Sequence, residues 1–223
     1  MSKKSVAVVL SGCGNRDGSE IHEATLTLWA IHKNGAEYQC YAPNIPQYHV
    51  LNHINGKEMD EQRNVLIESA RIARGKILDL ADFLAKAHDA LIFPGGLGAA
   101  KNLSSYAFDG TDCQINGDVK NAILSMAALK KPIGALCIAP ILLAQVLDQI
   151  RLTIGQDPVT AAAIETMGGH HVPSIQTEVV VDTIHRLVST PCYMLDARVD
   201  QIGEGADRLV QELLKLTENN IKI

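Results

Sequence analysis

Pro132-Ile133-Gly134-Ala135-Leu136-Cys137-Ile138-Ala139-Pro140 is the stretch that settles the architecture of this chain. Residues 132–136 run without a polar interruption, the pattern of a strand covered on both faces rather than one side in water. The run stops abruptly at Cys137, and helical patterning resumes from Ala139. A buried strand feeding straight into a helix is the unit of a parallel sheet closed by crossover helices.

Working outward, the same alternation recurs along the chain. Strands are predicted at residues 5–10, 38–42 and 90–93, with a short stretch around 77–80, a Val-rich strand at 179–181 and a partner at 187–189. A helix over 20–34 places Ile21, Ala24, Leu28 and Ile31 on one face, and Gly35 ends it. Further helices are expected over 62–73, over a short segment ending near Ala87, and over 116–129. A final helix carries Leu195, Val199, Ile202, Ala206, Leu209 and Leu213. The polar segment 43–58 contains Asn55-Gly56, a tight-turn signal flanked by Leu51, Ile54 and Met59, and predicts a small hairpin insertion near residues 43–60. The expected fold class is α/β, a three-layer sandwich about a mostly parallel sheet.

With 223 residues, one domain spanning 1–223 is expected. Hydrophobic residues make up 47% and charged residues 20%, the balance of a globule with a large core. Aromatics are only 4%, so aliphatic packing must dominate. The formal charge of −5 and pI near 5.9 give no broad attraction for phosphate backbones or anionic lipid, so neither nucleic acid nor membrane is an expected partner. No apolar run approaches the roughly 18 residues needed to span a bilayer, and a cytoplasmic location is expected. The five cysteines, at 13, 40, 113, 137 and 192, form no CxxC pair and read as separate thiols.

Three unusual segments follow strands: Ser11-Gly12-Cys13-Gly14 with the succeeding Glu20-Ile21-His22-Glu23, then Phe93-Pro94-Gly95-Gly96, and the stretch around Cys137. In open α/β sheets such ends converge on one edge, where ligands bind. The Cys137 segment resembles a nucleophile elbow, with Cys in place of Ser and the usual second glycine absent. From the residues alone two readings stay open for each. Cys137 is a small core residue or a nucleophile, and Glu23 decorates the first helical turn or serves a site. Asp17 and Glu20 have capping-box spacing. Cys13 packs silently or acts as a redox partner of Cys137. The adjacent His170 and His171 point to opposite faces of an extended segment and make a poor metal pair, and the glycine loops lack the third glycine of a dinucleotide fingerprint. No metal and no cofactor is expected.

Read together, the stretches SGCG, DGSEIHEA, NHINGKEM, PGGLGAAKNLS, CIAP, RLTIG and TPCYML resemble the ElbB-type subgroup of the class I glutamine amidotransferase-like (PfpI-related) superfamily, described as glyoxalase-like and isoprenoid-biosynthesis-associated. The resemblance implies a flavodoxin-like sandwich and a homodimer. It also implies Cys137 as nucleophile, Glu23 as the carboxyl beside its sulfur, and the backbone amides of Gly96 and Ile138 as an oxyanion hole. The implied activity is that of a cofactor-independent, glutathione-independent glyoxalase III-like lyase. Such an enzyme takes glyoxal or methylglyoxal to a 2-hydroxy acid through a Cys137 hemithioacetal, with deglycation as an extension. The alternatives are a thiol redox or stress-response protein and a non-catalytic factor linked to isoprenoid biosynthesis. The chain departs from many superfamily members in having Ile138 after the cysteine and Thr153-Ile154-Gly155 further on, where histidines stand; His22, His170 and His171 are the possible substitutes. A thiol at a helix N-terminus falls from a pKa of about 8.5 to roughly 3.5–7.5, so a thiolate is expected at neutral pH.

Overall fold

The structure, a computed structural model, describes residues 3–218. Nine strands and eight helices are found among them: β1 (Ser5–Val9), α1 (Ile21–Lys33), β2 (Glu37–Ala42), α2 (Val65–Ile72), β3 (Ile77–Asp79), β4 (Ala90–Phe93), α3 (Leu97–Lys101), α4 (Tyr106–Asp109), α5 (Gly117–Ala128), β5 (Ile133–Leu136), α6 (Pro140–Val146), β6 (Arg151–Leu152), α7 (Pro158–Thr166), β7 (His170–His171), β8 (Val180–Asp182), β9 (Leu187–Thr190) and α8 (Val199–Glu218). Seven strands form one sheet in the order β3-β2-β1-β4-β5-β9-β8. All its neighbours run parallel except β8, which pairs antiparallel with β9.

Burial explains the three central strands. Val6 to Val9, Ala90 to Phe93 and Ile133, Ala135 and Leu136 are almost wholly withdrawn from solvent, as expected for strands covered on both faces. The chain moves from β1 outward to β2 and β3, but from β4 to β5 in the opposite direction. Right-handed crossovers therefore put α1 and α5 on opposite faces. α8 lies along α1, burying Ile202, Ala206, Leu209, Leu213 and Leu216 at helical spacing. It comes close to β5 because position 134 has no side chain: a Cβ there would sit 3.0 Å from Leu209 Cδ2. The reversal of strand order between β1 and β4 opens a crevice at their carboxyl ends, and this crevice holds the three loops singled out above.

Several expectations need correction. Glu20, not Asp17, caps α1: Glu20 is still extended, and its carboxylate accepts the Glu23 N–H at 2.7 Å. Asp17 is drawn away to accept the Leu51 N–H at 2.7 Å. The short helix expected before Ala87 is two 3₁₀ turns, Leu80–Asp82 and Ala85–Ala87, because Phe83, Leu84 and His88 are extended and break the helical path. Leu195 lies ahead of α8, in the approach to it. The segment around Asn55-Gly56 holds a single antiparallel bridge, Leu51 to Glu58, with Gly56 at φ +72 in the turn. Helix α7 and the two-residue parallel pair β6-β7 carry no expectation from the sequence. Among the described residues no helix is long and apolar enough to cross a membrane.

Candidate active site

β5 ends on Cys137, whose N–H still donates to Thr190 O of β9 at 2.9 Å, so the ladder holds this residue in place. The chain then turns sharply, with Ala139 N–H donating to Leu136 O at 2.9 Å. Cys137 itself sits at φ +57, a left-handed conformation costing about 1–2 kcal/mol for a residue with a Cβ. The strain aims the thiol out over the carboxyl edge of the sheet. Only 7% of the residue meets solvent.

Glu23, in the first turn of α1, comes to the same point and is fully buried. Its Oε2 accepts the Gly95 N–H at 3.0 Å and its Oε1 accepts the Tyr193 N–H at 3.2 Å. The Cys137 side chain lies beside it across Gly95, and the sulfur has the backbone N–H groups of Gly96 and Ile138 close by. The structure thus brings Cys137, Glu23, Gly96 and Ile138 together. Gly95 is what allows it: a Cβ at that position would lie 2.4 Å from Cys137 Cβ and 2.5 Å from Glu23 Oε2. Gly96 has a second requirement, a φ of +94 that turns its N–H toward the sulfur side.

Burial dominates the electrostatics. It pushes the Glu23 carboxyl up to about 8, helped by the neighbouring Glu20 charge and opposed by donors from Tyr193, Cys137 and Gly95. Burial first, and the Glu23 charge second, push the Cys137 thiol well above its ordinary value, against the amides of Gly96 and Ile138. A thiol depressed by a helix terminus is therefore not what the structure holds. α6 begins only at Pro140, and the sulfur lies too deep in protein for its dipole to prevail. At neutral pH the pair keeps both protons for most of the time. Glu23 releases its proton as pH rises through about 8, and the Cys137 thiol keeps the other, its loss opposed by burial and by the Glu23 charge.

The pair opens on a cleft of ≈ 740 Å³ whose walls include Asn15, Arg16, Glu20, His22, Thr160 and Tyr193. His22 Nδ1 and the Tyr193 hydroxyl are hydrogen-bonded at 2.9 Å on its rim. His170 and His171 stand on β7, where His170 Nε2 meets Gln149 Oε1 at 3.2 Å and burial lowers the pKa of His171. Among the described residues no histidine hydrogen-bonds Cys137 or Glu23, and no three His, Cys, Asp or Glu side chains gather to hold a metal ion. Cys13 faces Glu68, Arg71, Asp17 and Arg63, and burial raises its pKa. Cys192, by contrast, is fully buried at φ +44 and feels the charges of Glu23 and Cys137, which with burial hold its thiol well above the usual range. Cys192 and Tyr193 carry no motif of their own; only membership of the TPCYML stretch marked them.

No protein-family model matches the chain. A Homo sapiens protein named glutamine amidotransferase-like class 1 domain-containing protein 3, mitochondrial, is 46% identical over 222 residues, covering 95% of this chain and 83% of its own length. The crystal structure of an isoprenoid biosynthesis protein with an amidotransferase-like domain from Ehrlichia chaffeensis superposes with a TM-score of 0.88 at 35% identity, over 95% of this chain and 99% of that one. A DJ-1 superfamily protein from Salmonella typhimurium shares the fold at 21% identity and a TM-score of 0.61, over 95% and 91% of the two chains. Near-complete coverage at such identity, on one sheet topology, makes this chain a member of the class I glutamine amidotransferase-like family.

Proposed function

We propose that the chain is a cofactor-independent glyoxalase-type enzyme acting on small reactive aldehydes, glyoxal or methylglyoxal. The observation that carries the reading is the Cys137 sulfur held between the Glu23 carboxyl and the amides of Gly96 and Ile138, at the floor of an open cleft. Once the pair has lost one proton, Glu23 takes the thiol proton and the sulfur adds to the aldehyde carbon. The new alkoxide faces the amide donors and is protonated to a hemithioacetal. A proton leaves the carbon bearing sulfur, giving an enediol, and returns to the neighbouring carbon. The result is a thioester of a 2-hydroxy acid, which water hydrolyses to glycolate or lactate with return of the thiol. Glu23, titrating near 8, carries these protons, so no histidine and no glutathione is needed.

Purified protein given glyoxal should consume it and release glycolate without added glutathione, with kcat/KM rising with pH through about 8. Cys137→Ser should lower the rate at least ~10³-fold. Equal rates for the two proteins would overturn the reading. The same proposal places the chain in the cytoplasm, supported by five free thiols among the described residues. It takes the chain as a homodimer, supported by the half-exposed Trp29 and Val199 on the α1–α8 face. Cell fractionation and sedimentation, respectively, check these two points.

A further inference from the structure

Two unequal charges line the cleft. The Glu20 carboxylate is already engaged by the Glu23 N–H at 2.7 Å. Arg16 and Asn15 are exposed, and among the described residues the Arg16 guanidinium has no carboxylate within 4.0 Å and neither side chain makes a hydrogen bond. Their backbone is nevertheless fixed. Leu97 N–H donates to Asn15 O at 2.8 Å, Lys101 Nζ donates to Arg16 O at 2.9 Å, and Arg16 N–H meets His53 Nε2 at 3.4 Å. Gly14 and Gly18 close the loop beneath, with Gly18 N–H donating to Gly14 O at 2.7 Å. The turn around Gly56 makes space for the guanidinium: a Cβ on Gly56 would lie 2.7 Å from Arg16 Nη1.

Arg16 is exposed, yet it stands on a fixed backbone in the wall of the cleft that holds Cys137, where its five N–H donors and full positive charge are free to meet an anion. Besides Cys137, the other ionisable groups on the cleft wall are Glu20, His22 and Tyr193, and all three are engaged: Glu20 by the Glu23 N–H, and His22 with the Tyr193 hydroxyl. We infer that Arg16, with Asn15 beside it, binds an oxyanion carried by the substrate. The natural substrate class is then an aldehyde bearing a carboxylate or phosphate, rather than a neutral dicarbonyl. This rests on the aldehyde reading above for the reacting end and on Arg16 alone for the anionic end.

The two parts separate experimentally. Alkylation of Cys137, read by peptide mass spectrometry, needs no turnover, and its rate with anionic iodoacetate divided by its rate with neutral iodoacetamide reports the charge preference of the cleft. Arg16→Gln should lower that ratio about three- to fivefold at low salt, Arg16→Lys should keep most of it, and 0.5 M NaCl should shrink the difference. A ratio unchanged in Arg16→Gln would overturn the inference. In turnover, 4,5-dioxovalerate supplies the carboxylate and hydroxypyruvaldehyde phosphate the phosphate. Whichever shows the larger loss of kcat/KM in Arg16→Gln identifies the oxyanion; equal kcat/KM for both and for methylglyoxal in wild type would again overturn it. Loss of the alkylation bias in Arg16→Gln with no turnover of any dicarbonyl would sink the aldehyde chemistry and leave the anion receptor standing.

Discussion

The two ends of the central sheet use similar side chains to opposite purposes. At the amino ends, Ser5, His88 and Lys131 precede or open β1, β4 and β5. There the His88 ring is held at both nitrogens, 2.9 Å from Ser5 Oγ and 2.9 Å from the Tyr41 hydroxyl that reaches back from β2. Lys131 Nζ donates to the carbonyls of Ala85, Lys86 and His88. Each of these four polar side chains has a partner, and Phe83 stacks on the imidazole. At the carboxyl ends, the same three strands lead to a strained cysteine, a buried carboxyl held protonated at neutral pH, and an exposed arginine with no carboxylate partner among the described residues. One edge spends its polar groups on stability and the other keeps them available, which is how a site is told from a satisfied network in a molecule where both contain buried ionisable groups.

The sharpest test of that contrast is Glu23→Gln. Folded Glu23 titrates near 8 against an ordinary 4.5, so folding takes up a proton between those values. The stability this group contributes is whole below about 4.5, declines as pH climbs, and is exhausted above about 8. Urea unfolding of wild type should therefore lose on the order of 3–5 kcal/mol across that window, and Glu23→Gln should flatten this part of the slope. The variant should also lower kcat/KM for glyoxal about 10²–10⁴-fold and remove the rise near pH 8. A pH profile unaltered in the variant would move the proton to another group.

Next in size is Gly95→Ala, whose methyl must push Cys137 and Glu23 apart. About 10²-fold in kcat/KM and 1–3 kcal/mol of stability should go, measured by glyoxal turnover and urea unfolding on one preparation. Full activity would mean that the pair need not touch. Smallest in its effect on chemistry is the opposite edge. His88→Ala should cost about 2–3 kcal/mol and Tyr41→Phe about 1 kcal/mol, each with glyoxal kcat/KM within about twofold of wild type. A catalytic defect in Tyr41→Phe would erase the distinction between the two edges.

Much of this was legible because it depends on local pattern. The uninterrupted apolar runs at 90–93 and 132–136 announce buried strands whatever surrounds them, and they emerge as β4 and β5. Cys137 was marked by its place between such a strand and a helix. β6 and β7, two residues each, are too short to show any period, and they exist only because Arg151 and Leu152 happen to lie beside His170 and His171. The expected Asp17 cap failed for a related reason: Leu51, far along the chain, offers that carboxylate a buried N–H.

The amino-acid sequence by itself determined most of the succession of strands and helices, the parallel sandwich they form, and the sheet edge to which the loops bearing Cys137, Glu23 and Gly95-Gly96 belong. Periodicity and turn chemistry act over a few residues, and crossover handedness does the rest. Only the tertiary structure decided the protonation of the site, the Tyr193 N–H on Glu23, and the exposed place of Arg16 on the cleft wall. Those depend on burial and on contacts between residues as far apart as 23 and 193, and desolvation of a group is a property of everything packed around it.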